Sequence, residues 1–92
     1  MDFAKVITGL KTGRRYQRES WRGKGRFIFL VPGSTFVVNR EPLVSIWGEG
    51  TQVEYHAHID MKTAQGYIVP WRASQADMLA EDWSELAPGQ PA

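Results

Sequence analysis

The sequence predicts one small α+β domain, an antiparallel sheet of about five strands packed by an N-terminal and a C-terminal helix. Three observations lead there. Phe3, Val6, Ile7 and Leu10 recur at helical spacing near the start of the chain. The middle of the chain alternates apolar runs of strand-favouring residues with Gly and Pro turn signals. Ser74, with Asp77 three residues on, marks a second helix start near the end. A chain of 92 residues has room for one domain. Residues 1–85 are expected to form it, and 86–92 to be a flexible tail rich in Pro, Gly and Ala.

Each element follows from local chemistry. The first helix starts near Asp2 and stops by Gly13. Residues 14–20 read as a strand, and Trp21-Arg22-Gly23-Lys24-Gly25 as a glycine turn. Arg26 to Val31 is a strongly apolar strand, and Ser34 to Asn39 a second. The short Pro32-Gly33 link predicts that these two fold back on each other as an antiparallel hairpin. Pro42 opens a short helix through Trp47, ended by Gly48-Glu49-Gly50. Residues 52–62 read as one strand, with Val53, Tyr55, Ala57 and Ile59 on one face and Glu54, His56, His58 and Asp60 on the other. A turn at 63–66 returns the chain through Tyr67 to Trp71, where Pro70 favours an edge. Ser74 to Trp83 is the second main helix, with Met78, Leu79 and Trp83 as its apolar stripe.

Charge is balanced in total, at +1, but skewed in place. Residues 1–26 carry +6 and residues 27–92 carry −5. The basic cluster attracts phosphate groups, or forms a solvated face that pairs with the acidic half. It is too short, on a chain too near neutrality, for polymeric nucleic acid. No apolar run is long enough for a bilayer, so no membrane partner is expected. Asp2 and the lack of a long apolar stretch argue against a secretory leader, and a cytoplasmic protein is expected. The chain has no cysteine, which excludes disulfides, thiolate nucleophiles and sulfur-ligated metal. With so thin a core and four tryptophans, it is expected to complete itself by oligomerising.

Two chemistries compete for the polar residues. His56, His58 and Asp60 alternate on one strand and offer two imidazoles and a carboxylate, a start for metal binding. The plainer reading makes them hydrogen-bonding groups on a polar sheet face or an interface, and it is preferred. No Gly-x-Ser-x-Gly, P-loop or dinucleotide fingerprint is present. No catalytic residue, metal or cofactor is assigned. The second chemistry is binding. Aromatic planes stack on bases, and guanidinium groups grip phosphates. Trp21, in its glycine turn, and Trp71, at a strand end, are the expected exposed platforms, while Phe27, Phe29, Phe36 and Trp83 are expected in the core. Arg22, Arg26 and Arg40 are the expected phosphate ligands, with Arg72 fourth. Arg40 has the alternative of an ion pair with Glu41. Asn39, Asp60 and Gln75 read base edges or ribose hydroxyls, and Tyr55, His58 and Ser74 complete the set. Asp60 has the alternative of capping the turn after it, and Asp77 is expected as a helix cap.

Several strings in order carry a resemblance: Trp21-x-Gly23-Lys24-Gly25, Val31-Pro32-Gly33-Ser34, Asn39-Arg40-x-Pro42-Leu43, His58-Ile59-Asp60-Met61-Lys62, Gln65-Gly66, Val69-Pro70-Trp71 and Ser74-Gln75-x-Asp77-Met78-Leu79-Ala80-Glu81-Asp82-Trp83. Together they resemble the Thoeris anti-defence proteins of the second type, small phage proteins, from about residue 3 to residue 83. The resemblance implies a sponge and not an enzyme; the rival readings beside it are a small phosphodiesterase or ADP-ribose hydrolase using His56, His58 and Asp60, and a phage structural or interaction module whose aromatics serve only subunit contacts. Such a protein binds signalling nucleotides, notably glycocyclic ADP-ribose isomers and in some members cyclic dinucleotides or oligonucleotides, without cleaving them. It implies a homotetramer built as a dimer of dimers, with ligand pockets between protomers, in the cytoplasm of the infected bacterial host.

Overall fold

The computed structural model describes residues 1–92. Its elements are α1 (Phe3–Leu10), β1 (Arg15–Arg18), a 3-10 turn (Glu19–Trp21), β2 (Phe27–Val31), β3 (Ser34–Val37), α2 (Leu43–Trp47), β4 (Gln52–Tyr55), β5 (His58–Lys62), β6 (Ile68–Pro70), α3 (Gln75–Leu79) and β7 (Trp83–Leu86). The fold is α+β, as predicted. A five-stranded antiparallel sheet runs in the order β6-β5-β2-β1-β7, and β3 and β4 form a second, two-stranded sheet. No helix is long and apolar enough to cross a membrane.

The core lies on one face of the large sheet. Helix α1 begins at Asp2, whose carboxylate accepts the Lys5 backbone N–H at 3.0 Å. Its apolar stripe sets Val6 and Leu10 on Tyr16, Ile28, Met61, Trp21 and Trp83. Helix and sheet approach closely at Gly9, where a β-carbon would overlap the Tyr16 hydroxyl. Helix α3 is capped as predicted: the Ser74 hydroxyl accepts the Asp77 N–H, and the Asp77 carboxylate accepts the Ser74 N–H. It is shorter than predicted. The chain becomes extended at Ala80, and Trp83 lies in β7, paired with Arg18 of β1. Pairing with an open sheet edge satisfies a whole row of backbone groups, which outweighs about one more helical turn. Met78 and Leu79 consequently face solvent instead of the core.

The expected hairpin at Pro32-Gly33 does not form. The chain runs straight past it, and the second long strand is interrupted at the same level by His56-Ala57. Pairing is Val31 with His58 below the interruption and Ser34 with Tyr55 above it. Both strands advance by three residues, so register is kept across the break. Residues 27–37 and 52–62 are thus one long ribbon, notched where Pro32 cannot donate to a ladder. At Gly33 a β-carbon would sit 3.0 Å from the Tyr55 carbonyl oxygen, so with a side chain there the facing segment would have to give by a few tenths of an ångström. Above the notch the ribbon leaves the sheet as an arm closed by α2. Val38 is its one fully buried residue. The arm stretches the chain to 45 × 26 × 26 Å, with a radius of gyration of 15.9 Å. A compact globule of this length has about 12 Å.

Candidate functional site

The residues singled out for binding fall into three groups that one chain does not unite. The first lies on the core face. Trp21 is 6% exposed, packed edge-on against Trp83 at 5.4 Å. The Arg26 guanidinium covers its ring at 4.8 Å. Trp21 is therefore no open platform: the 3-10 turn rolls it under the sheet, where burial of its large apolar surface outweighs the polarity of its neighbours. Trp71 is half-buried, 6.1 Å from Phe3 and 6.0 Å from Trp83. The Ser74 hydroxyl is occupied by its cap, and Gln75 is exposed at the first position of α3. Arg18, which the sequence reading passed over, organises this end. It donates to Asp77 at 2.7 Å and Asp82 at 2.6 Å, and lies 5.7 Å from the Trp83 ring. Hydrogen bonding to Asp82 is the main reason its pKa is raised further. Burial alone would raise the Asp77 pKa, but the Ser74 cap and the Arg18 guanidinium outweigh it and hold the carboxyl below its ordinary value. The indole N–H of Trp83 donates to the Asp77 carbonyl at 2.9 Å.

The second group lies on the opposite sheet face, which no helix covers. Asp60 is paired with Phe29, His58 with Val31 and Lys62 with Phe27, so these side chains share that face. Phe27 and Phe29 lie 5.9 Å apart and are only half-buried, not in the core as expected. Phe27 is flanked by the Arg15 guanidinium at 4.9 Å and the Lys62 ammonium at 5.8 Å. Lys62 is steadied by the Gly25 carbonyl at 2.8 Å, and Arg15 by the carbonyls of Ala87 at 2.7 Å and Gln90 at 2.9 Å. Two cations over an aromatic ring on an open face form an anion-and-ring surface. Sequence could have signalled it, since Arg15 and Lys62 both lie in strands that alternate with core positions.

His58 has a defined tautomer. Its Nδ1 lies 3.0 Å from the His56 carbonyl oxygen, which only accepts, so Nδ1 carries the proton. Nε2 then faces Asp60 at 3.6 Å. A neutral imidazole turns a lone pair toward that carboxylate, and only the protonated ring makes an ion pair with it. With Nδ1 on a carbonyl and Nε2 facing a carboxylate, the ring has no nitrogen left free to aim at a nucleophile. His56 stands apart, 89% exposed and 3.9 Å from Glu54. No three His, Asp or Glu side chains converge as metal ligands. Asp60 does not cap the following turn; Thr63 does, its hydroxyl accepting the Tyr67 N–H at 3.0 Å.

The third group is on the arm. Asn39 and Arg40 are exposed at its tip, and Arg40 makes no ion pair with Glu41, whose carboxylate instead accepts the Ser45 N–H. Tyr55 stacks on Phe36, centroids 5.2 Å apart and planes 12° from parallel. Phe36 is exposed and not core. Ile46 and Trp47 of α2 are 60% and 56% exposed. Of all the predicted binding residues only Arg22 and Tyr55 line a cavity. The largest cavity, of 540 Å³, lies beside α1 between Lys5, Thr8, Thr12, Arg14, Tyr16 and Glu85, away from all of them. There the Tyr16 hydroxyl donates to Glu85 at 3.2 Å. Burial first, then the hydrogen bond to Glu85, raises the Tyr16 pKa, so its proton stays in place. Two further polar atoms went unnoticed in the sequence, Gln17 Oε1 and Ser84 Oγ, buried with no hydrogen-bond partner in the protein. Leaving such an atom unpaired costs about 1–3 kcal/mol.

Comparison with known proteins bears on this arrangement. The family model of the Thoeris anti-defense 2-like domain matches residues 1–86. The protein named Thoeris anti-defense 2 from Bacillus phage SP01 is 34% identical over 88 residues, covering 90% of this chain and 91% of that one. The family takes its name from anti-defence, not from a reaction. With a match along nearly its whole length and a relative aligned almost end to end, the chain belongs to the Thoeris anti-defense 2-like family of phage anti-defence proteins.

Proposed function

We propose that this protein is a sponge: it binds signalling nucleotides of the glycocyclic ADP-ribose type in the cytoplasm of the infected host and holds them intact, away from their immune effector. The observation that carries this reading is the open sheet face, where Arg15 and Lys62 flank Phe27 beside Phe29. Ring faces and fixed cations suit a base and a diphosphate. The chemistry of cleavage finds less support, because both ring nitrogens of His58 face groups of its own chain.

A homo-oligomer, a tetramer built as a dimer of dimers, completes the reading. Arm and sheet faces each offer part of a lining, and a second chain can close over either. The exposed Ile46, Trp47, Met78 and Leu79 give such a chain apolar surface to bury. Sequestration of a scarce messenger calls for nanomolar affinity, about −12 kcal/mol, and a ligand enclosed from two sides can reach it.

The test is recovery of the ligand. Protein is mixed with a glycocyclic ADP-ribose isomer, freed of unbound nucleotide by gel filtration, heat-denatured, and the supernatant examined by mass spectrometry. Intact nucleotide, stoichiometric with binding sites, is expected. Fragments establish hydrolysis instead, and no retained nucleotide leaves the interaction-module reading.

A further inference from the structure

Asp60 is a carboxylate to which its own chain offers no donor. Its side chain is only 15% exposed, and the one basic nitrogen in reach is His58 Nε2, at 3.6 Å. With the proton on Nδ1, that nitrogen turns a lone pair toward the carboxylate and cannot donate. The oxygens are nevertheless open to approach. The fully buried side-chain atoms without a partner are Gln17 Oε1 and Ser84 Oγ, and those of Asp60 are not among them. Strand register sets what surrounds Asp60. It pairs with Phe29 of β2 on one side and Pro70 of β6 on the other, so apolar side chains flank it. Lys62 follows on the same face, about 6.5 Å along the strand. Arg15 precedes Tyr16, the partner of Ile28, and so reaches the far side of Phe29. Neither cation makes an ion pair within the chain; both donate to backbone carbonyls.

We infer that Asp60 is the sugar-reading group of the open face, accepting the vicinal hydroxyls of a nucleotide ribose while Lys62 and Arg15 hold the phosphates. The inference rests on the nucleotide-binding reading above and adds to it a selection for ribose over deoxyribose. An ionised carboxylate only accepts, so each part of an adenine nucleotide can be weighed against it. Phosphate is excluded by its charge. The amine of adenine donates, but the ring nitrogen beside it accepts and would face the second carboxylate oxygen. The vicinal diol puts two O–H donors side by side, one for each oxygen. The order along the strand agrees, a carboxylate and then an ammonium, as a nucleotide runs from sugar to phosphate. Phe29 and Pro70 keep water from both sides of those hydrogen bonds, which strengthens them.

The experiment uses the full chain at pH 8, to keep imidazoles neutral. ADP is the probe and 2′,3′-dideoxy-ADP the control, both followed by isothermal titration calorimetry. ADP is expected to bind at least roughly tenfold more tightly, the difference that hydrogen bonds to a charged group imply. Asp60→Ala should weaken ADP by that factor and leave the dideoxy nucleotide unchanged or tighter, because a negative charge near its phosphates is gone. An Asp60 that serves only the fold would weaken both alike. If Asp60→Ala does not fold, Asp60→Asn, of nearly the same volume, should narrow the difference between the two nucleotides. Equal binding of both by the unaltered protein, binding of neither, or a parallel loss of both in the variants overturns the inference. The sponge reading is judged separately. Intact glycocyclic ADP-ribose retained by a protein that does not distinguish the two nucleotides removes the sugar subsite alone. Discrimination in a protein that cleaves the cyclic ligand keeps the subsite and removes the sponge.

Discussion

Replacing Gly9 with alanine tests how α1 is seated. In an exposed helix this change would stabilise by roughly 1 kcal/mol, since alanine loses less backbone entropy. Here the new β-carbon would overlap the Tyr16 hydroxyl and lie 2.5 Å from Cζ of the same ring. Tyr16 is buried and cannot swing aside, because Ile28 pairs beside it in the sheet and its hydroxyl is bound to Glu85 at 3.2 Å. Either α1 lifts away, loosening Val6 and Leu10, or the ring tilts and leaves Glu85. Overpacking of this kind costs about 1–3 kcal/mol, and the lost hydrogen bond about 1 more. The helical gain offsets only part of that, so a net loss of about 2 kcal/mol is expected. For a domain of this size the melting temperature should fall by roughly 8–16 °C. Urea unfolding followed by tryptophan fluorescence measures it, and the double mutant supplies the control. Tyr16→Phe removes the overlapping oxygen, so Gly9→Ala should cost roughly 1 kcal/mol less in that background. A neutral or stabilising Gly9→Ala, or strictly additive single and double mutants, would show that helix and sheet do not meet as described.

Three further outcomes are expected. Asp77, whose carboxyl is held below its ordinary value of 3.8, contributes stability that is complete above that pH and lost as pH falls through its lower folded value; urea titrations below pH 5 should show this acid limb, and Asp77→Asn should flatten it. Ile46→Asp or Trp47→Asp on the exposed face of α2 should lower the sedimentation coefficient with little change in far-ultraviolet circular dichroism; unchanged sedimentation in both would remove the arm from the assembly. A glycocyclic ADP-ribose isomer at 100 times its dissociation constant should add about 2.7 kcal/mol and raise the melting temperature by roughly 10–20 °C, and Phe27→Ala should abolish most of that shift in differential scanning fluorimetry.

The legible parts of the fold were those set by neighbours in sequence. The stripe of α1, the Ser74–Asp77 cap, the turn after Lys62 and the short helix before Gly48 follow from local spacing and local hydrogen bonding, and each is present. What sequence misplaced was decided by distant partners. Trp83 fits a helical stripe as well as a strand, and only its pairing with Arg18 chooses the strand. Trp21 sits among polar and glycine neighbours, and only Trp83 and Arg26, brought from elsewhere, bury it. Alternation predicted the face shared by His58 and Asp60 correctly, but nothing local announced that Pro32-Gly33 and His56-Ala57 would lie side by side as one notch. The same limit applies to the site. Residue types pointed toward binding chemistry, whereas the grouping of Phe27 with Arg15 and Lys62 depends on strand order.

In the proposed function, that grouping links assembly to binding. A side chain that stacks on a ligand must be open in the isolated chain, and an open aromatic is unfavourable in water, so a protein of this size keeps such surface only if something else covers it. Two coverings compete for the face around Phe27, a second copy and a nucleotide. Where both fit together, each strengthens the other by the same factor, since the coupling is reciprocal. Nucleotide affinity should then fall on dilution of the protein, as protomers separate, and added nucleotide should restore the larger species at the same protein concentration. Binding isotherms recorded across a hundredfold range of protomer concentration read that coupling directly. Isotherms that superimpose at every concentration would mean that each chain holds its ligand alone, and would uncouple binding from assembly.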